Sequence, residues 1–229
     1  MNWGLLSISY KREKVLKLFL ASIKRLRMDI GCFPVVVVGD EEHKELCEQY
    51  EVHHITQTNH PATAKFNTGV DYLMSLQCRY VMITGSDDIA STPLMRNLIS
   101  AMDNDYDLIG ISSTYFYAAD GPHKGSLRYL KTKDQILGIF RVVHRRLIEK
   151  VGGVLWNKEA SWGMDGIALR NIQPHVRTWE IVEGDCFDVK TKENLNKITF
   201  WLSKLQSRED PEKFYSILSE EEKQILSEI

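Results

Sequence analysis

Two hydrophobic rhythms alternate over the first half of the chain, and their alternation predicts its elements. Gly4 to Ser9 is a short apolar and β-prone run, a strand, and from Glu13 to Leu26 the apolar positions Val15, Leu16, Phe19, Leu20, Ile23 and Leu26 recur at helical spacing. The run FPVVVV, Phe33 to Val38, is uninterrupted, the pattern of a central strand covered on both faces, and it stops at Gly39-Asp40. A helix over Glu41 to Tyr50, a short strand over Val52 to Thr56 and a loop through His60 and Pro61 follow. Ala62 to Leu76 reads as another helix, with Lys65 and Asn67 near its start. The apolar run that begins at Tyr80 ends abruptly in Gly85, Ser86, Asp87 and Asp88, read as a strand leading into a strand-to-helix turn. Thr92-Pro93 then caps and opens a helix, and Leu108 to Ser112 is the next strand.

This strand-helix order predicts an α/β fold: a mostly parallel central sheet, doubly wound and flanked by helices. The second half changes character. Thr114 to Lys133 carries Tyr115, Phe116, Tyr117, Gly121 and Gly125 and reads as a loop or hairpin of the kind that covers a site. Ile136 to Val143 is strand-like, and His144 to Val151 is a short basic helix closed by Gly152-Gly153. In SWGMDGIALRNI, Asp165 opens an amphipathic helix. Beyond Thr191 the chain is helical and polar, with Leu195, Ile198, Trp201, Leu202 and Leu205 expected to pack on the domain, and Ser219 to Glu222 forms a capping box that starts a last helix, a packing or oligomer element. The expected organisation is one domain over residues 1–190 and a C-terminal helical extension over 191–229.

Composition narrows the class. With 229 residues, 43% of them apolar and 26% charged, the chain can bury a sizeable core. Its formal charge of −2 supplies no global basic field to recruit nucleic acid or anionic lipid. Cys32, Cys47, Cys78 and Cys186 are scattered with no CxxC pair, which argues against a zinc site or a disulfide framework and fits a reducing compartment. MNWGLLSISYKREK does not have the pattern of a signal peptide, and no apolar stretch approaches the length that crosses a bilayer, so a soluble, cytoplasmic protein is expected.

Candidate chemistry gathers at the strand ends. A parallel sheet with helical crossovers leaves one edge free for ligand, and on that edge lie Ser9-Tyr10, Asp40 and Asp87-Asp88. Singly, each also suits a solvated turn or a helix cap; together they outline a crevice. Paired carboxylates at such an edge suit a hard divalent cation that also holds a diphosphate. Asp165, in the first turn of its helix, is either favoured there by the helix dipole or held there to accept a proton.

These residues resemble the GT-A glycosyltransferases, specifically the inverting, family-2-like enzymes that use nucleotide-diphosphate sugars. Ser9-Tyr10 with Arg12 looks like the nucleotide-binding turn after the first strand, and Asp40 after VVVVG like the acidic residue that reads the base. Lys65-Phe66-Asn67-Thr68-Gly69 resembles the K/R-x-N-x-G segment lining the nucleotide pocket. Asp87-Asp88 falls where that family has its metal-binding DXD-type motif, and GGVLWNKEASWGMD is similar to its Gly-Gly segment followed by an acidic catalytic pair. The chain departs from the pattern twice: Gly85 stands where the family often has Asp, and Met164-Asp165 where it has Glu-Asp.

The resemblance covers roughly the first 190 residues and implies a GT-A, Rossmann-like domain with a nucleotide-binding half over 1–112 and an acceptor-binding half over 113–190. It implies Mn2+ or Mg2+ held by Asp88 and Asp87, with Asp87 also near the ribose, and transfer from a nucleotide-diphosphate sugar, UDP-sugar favoured, to a saccharide hydroxyl. Asp165 is the implied catalytic base, with Glu159 next in line; Ser9, Tyr10, Arg12, Asp40, Lys65, Asn67 and Asp87 would bind the donor. For a third metal ligand or phosphate contact the stretch EGDCFDVKTKENLNKITFW offers Asp185, Asp188, Lys190 and Lys192, with Asp188 taken as the ligand; His175 reads as a surface turn residue. Three alternatives stand beside this. The same chemistry could act on a hydroxylated base in DNA, with basic clusters at Lys11 to Arg27, His123 to Lys133 and Arg141 to Lys150 tracking the phosphates. A nucleotidyltransferase shares the sheet and the carboxylates, but SISYKREK lacks the glycine-rich phosphate loop usual there. A silent nucleotide-sugar-binding module would have lost Asp88 or Asp165, and both are present.

Overall fold

The computed structural model describes residues 2–194 and 205–229. Its first sheet is built around Trp3–Ile8 (β1), which pairs in parallel with Val35–Gly39 (β2) on one side and Tyr80–Gly85 (β4) on the other; His53–Thr56 (β3) extends the sheet in parallel beyond β2. Beyond β4 lies Arg141–His144 (β9), antiparallel to both β4 and Leu108–Gly110 (β6), and the far edge is Trp179–Ile181 (β10), parallel to β6. The order is therefore β10-β6-β9-β4-β1-β2-β3. The chain builds outward from β1 through β2 to β3, then returns to the other side of β1 with β4, so the order reverses between β1 and β4. Ligands of open α/β sheets bind at such a reversal, outside the carboxyl ends of the strands.

Both faces of this sheet are covered because successive residues on its central strands are mostly apolar. Leu5, Val35, Val37, Tyr80 and Met82 face Glu13–Ile30 (α1) and Thr92–Met102 (α4), which contribute Leu16, Phe19, Leu20, Ile23, Leu94 and Leu98. Leu6, Val36, Val38, Val81 and Ile83 face the other way, onto Ala62–Ser75 (α3), Arg145–Lys150 (α5) and Met164–Ile172 (α6). Each fully buried Leu, Val or Phe side chain contributes about 1.5–3 kcal/mol, so the doubly wound layers follow from this two-sided pattern.

A second sheet lies against the first. Asp88–Ala90 (β5) pairs with Cys186–Lys190 (β11), which runs parallel to Ser113–Ala118 (β7); Leu127–Lys131 (β8) and Ser207–Glu209 (β12) complete the order β12-β8-β7-β11-β5. Several expectations are corrected here. Asp87 and Asp88 do not lead into a helix: Ser86 and Asp87 form a tight turn into β5, because Asp88 to Ala90 finds a pairing partner in β11. The cap of α4 is Ser91, whose Oγ accepts from the Leu94 amide at 3.3 Å, with Thr92 already inside the helix. The region 41–50 splits into a 3-10 turn, Glu41–His43, and a short helix, Lys44–Gln49 (α2). Of the expected 136–143 strand only residues 141–143 pair, as part of Arg141–His144. The aromatic stretch from Thr114 is a hairpin strand rather than a cover: Tyr115, Phe116 and Tyr117 are buried, and Tyr117 and Phe187 pack on Phe214 of Glu212–Tyr215 (α7) at 4.9 and 4.8 Å.

The expected capping box at Ser219 is present and opens Glu220–Ser227 (α8). This helix packs on α1, where the buried Arg25 donates to Glu222 at 2.9 Å and to the Ala90 carbonyl at 3.0 Å. Leu195, Ile198, Trp201 and Leu202 lie outside the described residues. No helix among the described residues is long and apolar enough to cross a membrane. Removing one partner of a buried ion pair strands the other charge, so Glu222→Ala is expected to lower the unfolding free energy by roughly 3–5 kcal/mol. Ser219→Ala, which removes only the cap, should lower it by about 1 kcal/mol. Urea denaturation of the two variants checks this; equal losses would show that the ion pair contributes nothing beyond the cap.

Candidate active site at the reversal of the central sheet

The site starts from one register. Ile8 at the end of β1 stands opposite Gly85 at the end of β4, so the turns that follow the two strands are neighbours. After β1 the backbone passes through Lys11 and Arg12, both in the left-handed region at φ 52° and 48°. Non-glycine residues adopt that conformation at a cost of order 1 kcal/mol each, and such outliers concentrate at functional sites. The consequence is that Arg12 Nη1 reaches Asp87 Oδ2 at 2.9 Å.

Three carboxylates converge beyond that contact. Asp188 of β11 is the antiparallel partner of Asp88 in β5, and Asp87, Asp88 and Asp188 each offer an oxygen within 4.8 Å of the others. Asp88 Oδ2 accepts from the Gly85 amide at 2.6 Å and from Thr84 Oγ1 at 3.0 Å. Asp87 Oδ2 also accepts from Asn194 Nδ2 at 2.6 Å. Lys190, two residues after Asp188 and so on the same face of β11, brings Nζ to 2.7 Å from Asp188 Oδ2 and 3.9 Å from Asp87 Oδ2. Asp188 Oδ1 is buried and accepts no hydrogen bond among the described residues.

The electrostatics follow from burial and crowding. Burial alone would raise Asp87, but Arg12 and Lys190 outweigh it and hold that carboxyl at about 2. Burial pushes Asp188 up to about 6 against the pull of Lys190. Asp88, buried beside the charges of Asp188 and Asp87, is driven well above the usual carboxylate range. Three acids that resist sharing their negative charge, one with an unused oxygen, form a donor set of the kind that hard divalent cations take. The expected departure at Gly85 has a steric reason: a Cβ there would come within 2.6 Å of Asp87 Oδ1 and 2.8 Å of Asp88 Oδ2.

A second group lies at the ends of β1 and β2. The buried Lys65 of α3 donates to the Ser9 carbonyl at 2.8 Å, reaches Asp40 Oδ1 at 3.4 Å, and sits 5.7 Å from the centre of the half-buried Tyr10 ring. Ser9 itself is buried, its hydroxyl 2.8 Å from Nδ1 of the buried His43. Asn67 does not join this group. Its side chain makes paired hydrogen bonds with the backbone of Trp156, at 3.0 and 3.1 Å, while Phe66 stacks on that indole at 4.6 Å. Asn67 thus ties α3 to the loop that leads into α6.

Asp165 is exposed in the first turn of α6. Its main-chain carbonyl accepts from the buried Arg141 at 3.0 Å, and its carboxylate lies so close over Gly138 that a Cβ there would come within 2.1 Å of Asp165 Cγ. Glu159 and His175 are exposed, and Asp185 pairs with Lys213 at 3.1 Å. The Lys192 amide donates to Asp120 at 2.8 Å. Sequence reasoning passed over His43, Asn194, Arg141 and Gly138, and did not choose Lys190. Of these only Lys190 carries a local signal, the spacing of Asp188 and Lys190 on one strand face.

No protein-family model matches the chain, and no curated protein matches it in sequence. Solved structures match it in fold. TarS 1–349 of S. aureus in complex with UDP superposes with a TM-score of 0.62 at 14% identity, covering 100% of this chain and 70% of that one. A second structure of the same TarS fragment gives 0.61 at 14% identity, covering 82% of this chain and 60% of that one. The bifunctional IspDF of Campylobacter jejuni gives 0.52 at 16% identity, covering 90% of this chain and 55% of that one. The chain thus spans 60–70% of the TarS fragment, and 42% of the chain in a further TarS structure. The chain thus has a GT-A, Rossmann-like α/β fold, a mostly parallel central sheet flanked by helices, as the resemblance implied.

If the three carboxylates hold a divalent ion such as Mn2+, Gly85→Ala, which crowds two of them, is expected to weaken its binding by roughly 10–100-fold, the usual cost of disturbing the shell around metal ligands. Calorimetric titration of Mn2+ checks it, and unchanged affinity would mean that the carboxylates do not act together.

Proposed function

We propose that the chain is a metal-assisted, inverting glycosyltransferase that moves a sugar from a nucleotide-diphosphate sugar, most simply a UDP-sugar, to a hydroxyl of a saccharide. The observation that carries this reading is the meeting of Asp87, Asp88 and Asp188 at the reversal of the sheet, with Asp188 Oδ1 buried and unbonded among the described residues. These three would hold Mn2+ or Mg2+, which when bound supplies Lewis-acid stabilisation of the charge that develops on the leaving diphosphate.

The rest falls to the chain's own groups. Tyr10 offers a ring for the base and Asp40 an acceptor for a base N–H, with Lys65 holding Asp40 and the Ser9 carbonyl in register. Arg12, already bonded to Asp87, puts a permanent cation beside the diphosphate. Asn67 acts at one remove, by fixing the Trp156 loop between the donor half and α6. In an inverting displacement the acceptor hydroxyl attacks from the face opposite the leaving group and loses its proton near the transition state, for which one carboxylate suffices. Asp165 is that base: it is exposed to an incoming acceptor, and its helix start is fixed by Arg141.

A saccharide is favoured over DNA because much of the expected basic track is already paired. Lys24 and Arg25 bond Glu221 and Glu222, Arg146 bonds Asp105 and Asp107, and Arg141 is buried. Nucleotidyl transfer is the second reading, supported by the likeness to IspDF. The Ser9-Tyr10-Lys11-Arg12 turn has no glycine, which weighs against a triphosphate cradle there.

Three measurements test the proposal. UDP is expected to bind with Mn2+ and to lose most of its affinity after chelation; equal calorimetric affinities would remove the metal from the reaction. Incubation of the chain with UDP-sugars and saccharides should release UDP and a glycosylated acceptor, whereas pyrophosphate release from a nucleoside triphosphate would establish the second reading. Asp165→Asn keeps size and removes the proton acceptor, so turnover should fall by roughly 10²–10⁴-fold with donor affinity unchanged. Weakened UDP binding with turnover near wild type at saturating donor would move Asp165 out of the base role.

A further inference from the structure

Lys190 carries its ammonium in among the carboxylates read above as the metal site, and the inference drawn from it rests on that reading. Nζ lies 2.7 Å from Asp188 Oδ2 and 3.9 Å from Asp87 Oδ2, bridging two of the three ligand carboxylates. The side chain is buried, with the ammonium 5.4 Å from the centre of the Phe116 ring. Asp87 has other cationic and polar support, from Arg12 at 2.9 Å and Asn194 at 2.6 Å. Among the contacts described, Asp188 is paired only with Lys190.

Three acids at this spacing, two of them buried and Asp87 half-buried, repel one another, and burying them uncompensated is costly. An ammonium that bridges two of them does what a bound metal ion would do: it offsets their charge and holds them at one separation. It also competes for the same oxygens. A divalent ion that shares Asp87 and Asp188 with the ammonium would meet like-charge repulsion, little screened in a partly buried setting. The lysine stem is long and rotatable, so Lys190 can withdraw, unlike a ligand fixed by the strand backbone. We propose that Lys190 is an internal placeholder cation, which bridges Asp87 and Asp188 in the metal-free protein and gives up these carboxylates when a divalent ion binds.

The test is Mn2+ titration by calorimetry on the full chain, as wild type, Lys190→Met and Lys190→Arg, each verified as folded by circular dichroism, with Lys190→Gln replacing the Met variant if that does not fold. Lys190→Met is expected to bind Mn2+ at least about tenfold more tightly than wild type, equivalent to about 1.4 kcal/mol. Its melting temperature in chelator should lie below that of wild type and rise further than that of wild type when Mn2+ is added, because the ion then supplies the missing charge. Lys190→Arg keeps a cation and should show no gain. Mn2+ binding by Lys190→Met but not by wild type would also support the placeholder, as complete competition. Equal or weaker binding by the folded Met variant, with wild type still binding, overturns the placeholder and leaves the metal site standing. Absence of Mn2+ binding in wild type and all variants overturns both.

Discussion

The parallel register of β1 against β4, with Ile8 opposite Gly85, is the constraint on which the rest of this structure depends. It is set by the packing of apolar side chains on both faces of both strands, since a slip of one residue would exchange the face that meets α1 for the face that meets α3. Once set, it makes two turns adjacent that are far apart in the chain. The Arg12–Asp87 ion pair at 2.9 Å closes the gap between them, at the expense of left-handed backbone at Lys11 and Arg12. Buried hydrophobic area thus stabilises a local geometry that its own residues would not adopt alone.

Onto this edge the second sheet brings opposite charges in alternation. β11 is buried along its length, yet it reads Cys186, Phe187, Asp188, Val189, Lys190. Phe187 and Val189 enter the main core, and Asp188 and Lys190 share the other face, among the carboxylates. A buried strand tolerates two ionised side chains only where partners await them. Here the partners are one another and the β4-β5 turn, so the same contacts that make the site also fix the pairing of the two sheets.

The two groups of candidate residues differ in how they are held. Around Ser9, Tyr10, Asp40 and Lys65 the polar groups are bonded to each other and to backbone, forming a preformed wall. Around Asp165 the carboxylate is exposed, and it is oriented only through its helix, Arg141 and the absence of a side chain at Gly138.

Local patterning determined much of this by itself. Helical spacing in α1, the four consecutive valines of β2 and the apolar run of β4 report burial directly, because a side chain's distance from the core repeats with the period of its own element. The strand-end residues Ser9, Tyr10, Asp40, Asp87 and Asp88 were legible for the same reason, as the places where apolar runs stop. The turn after Gly85 was misread as leading into a helix because β5 is a strand only through its pairing with β11, which no window around Asp88 contains. Likewise, Asn194 on Asp87, Asn67 on the Trp156 backbone and Gly138 beneath Asp165 are contacts between distant segments, decided by how the layers close. Sequence periodicity tells a residue which way to face; only the tertiary register decides what it faces, and the Asp87, Asp88 and Asp188 cluster with Lys190 belongs to that second kind.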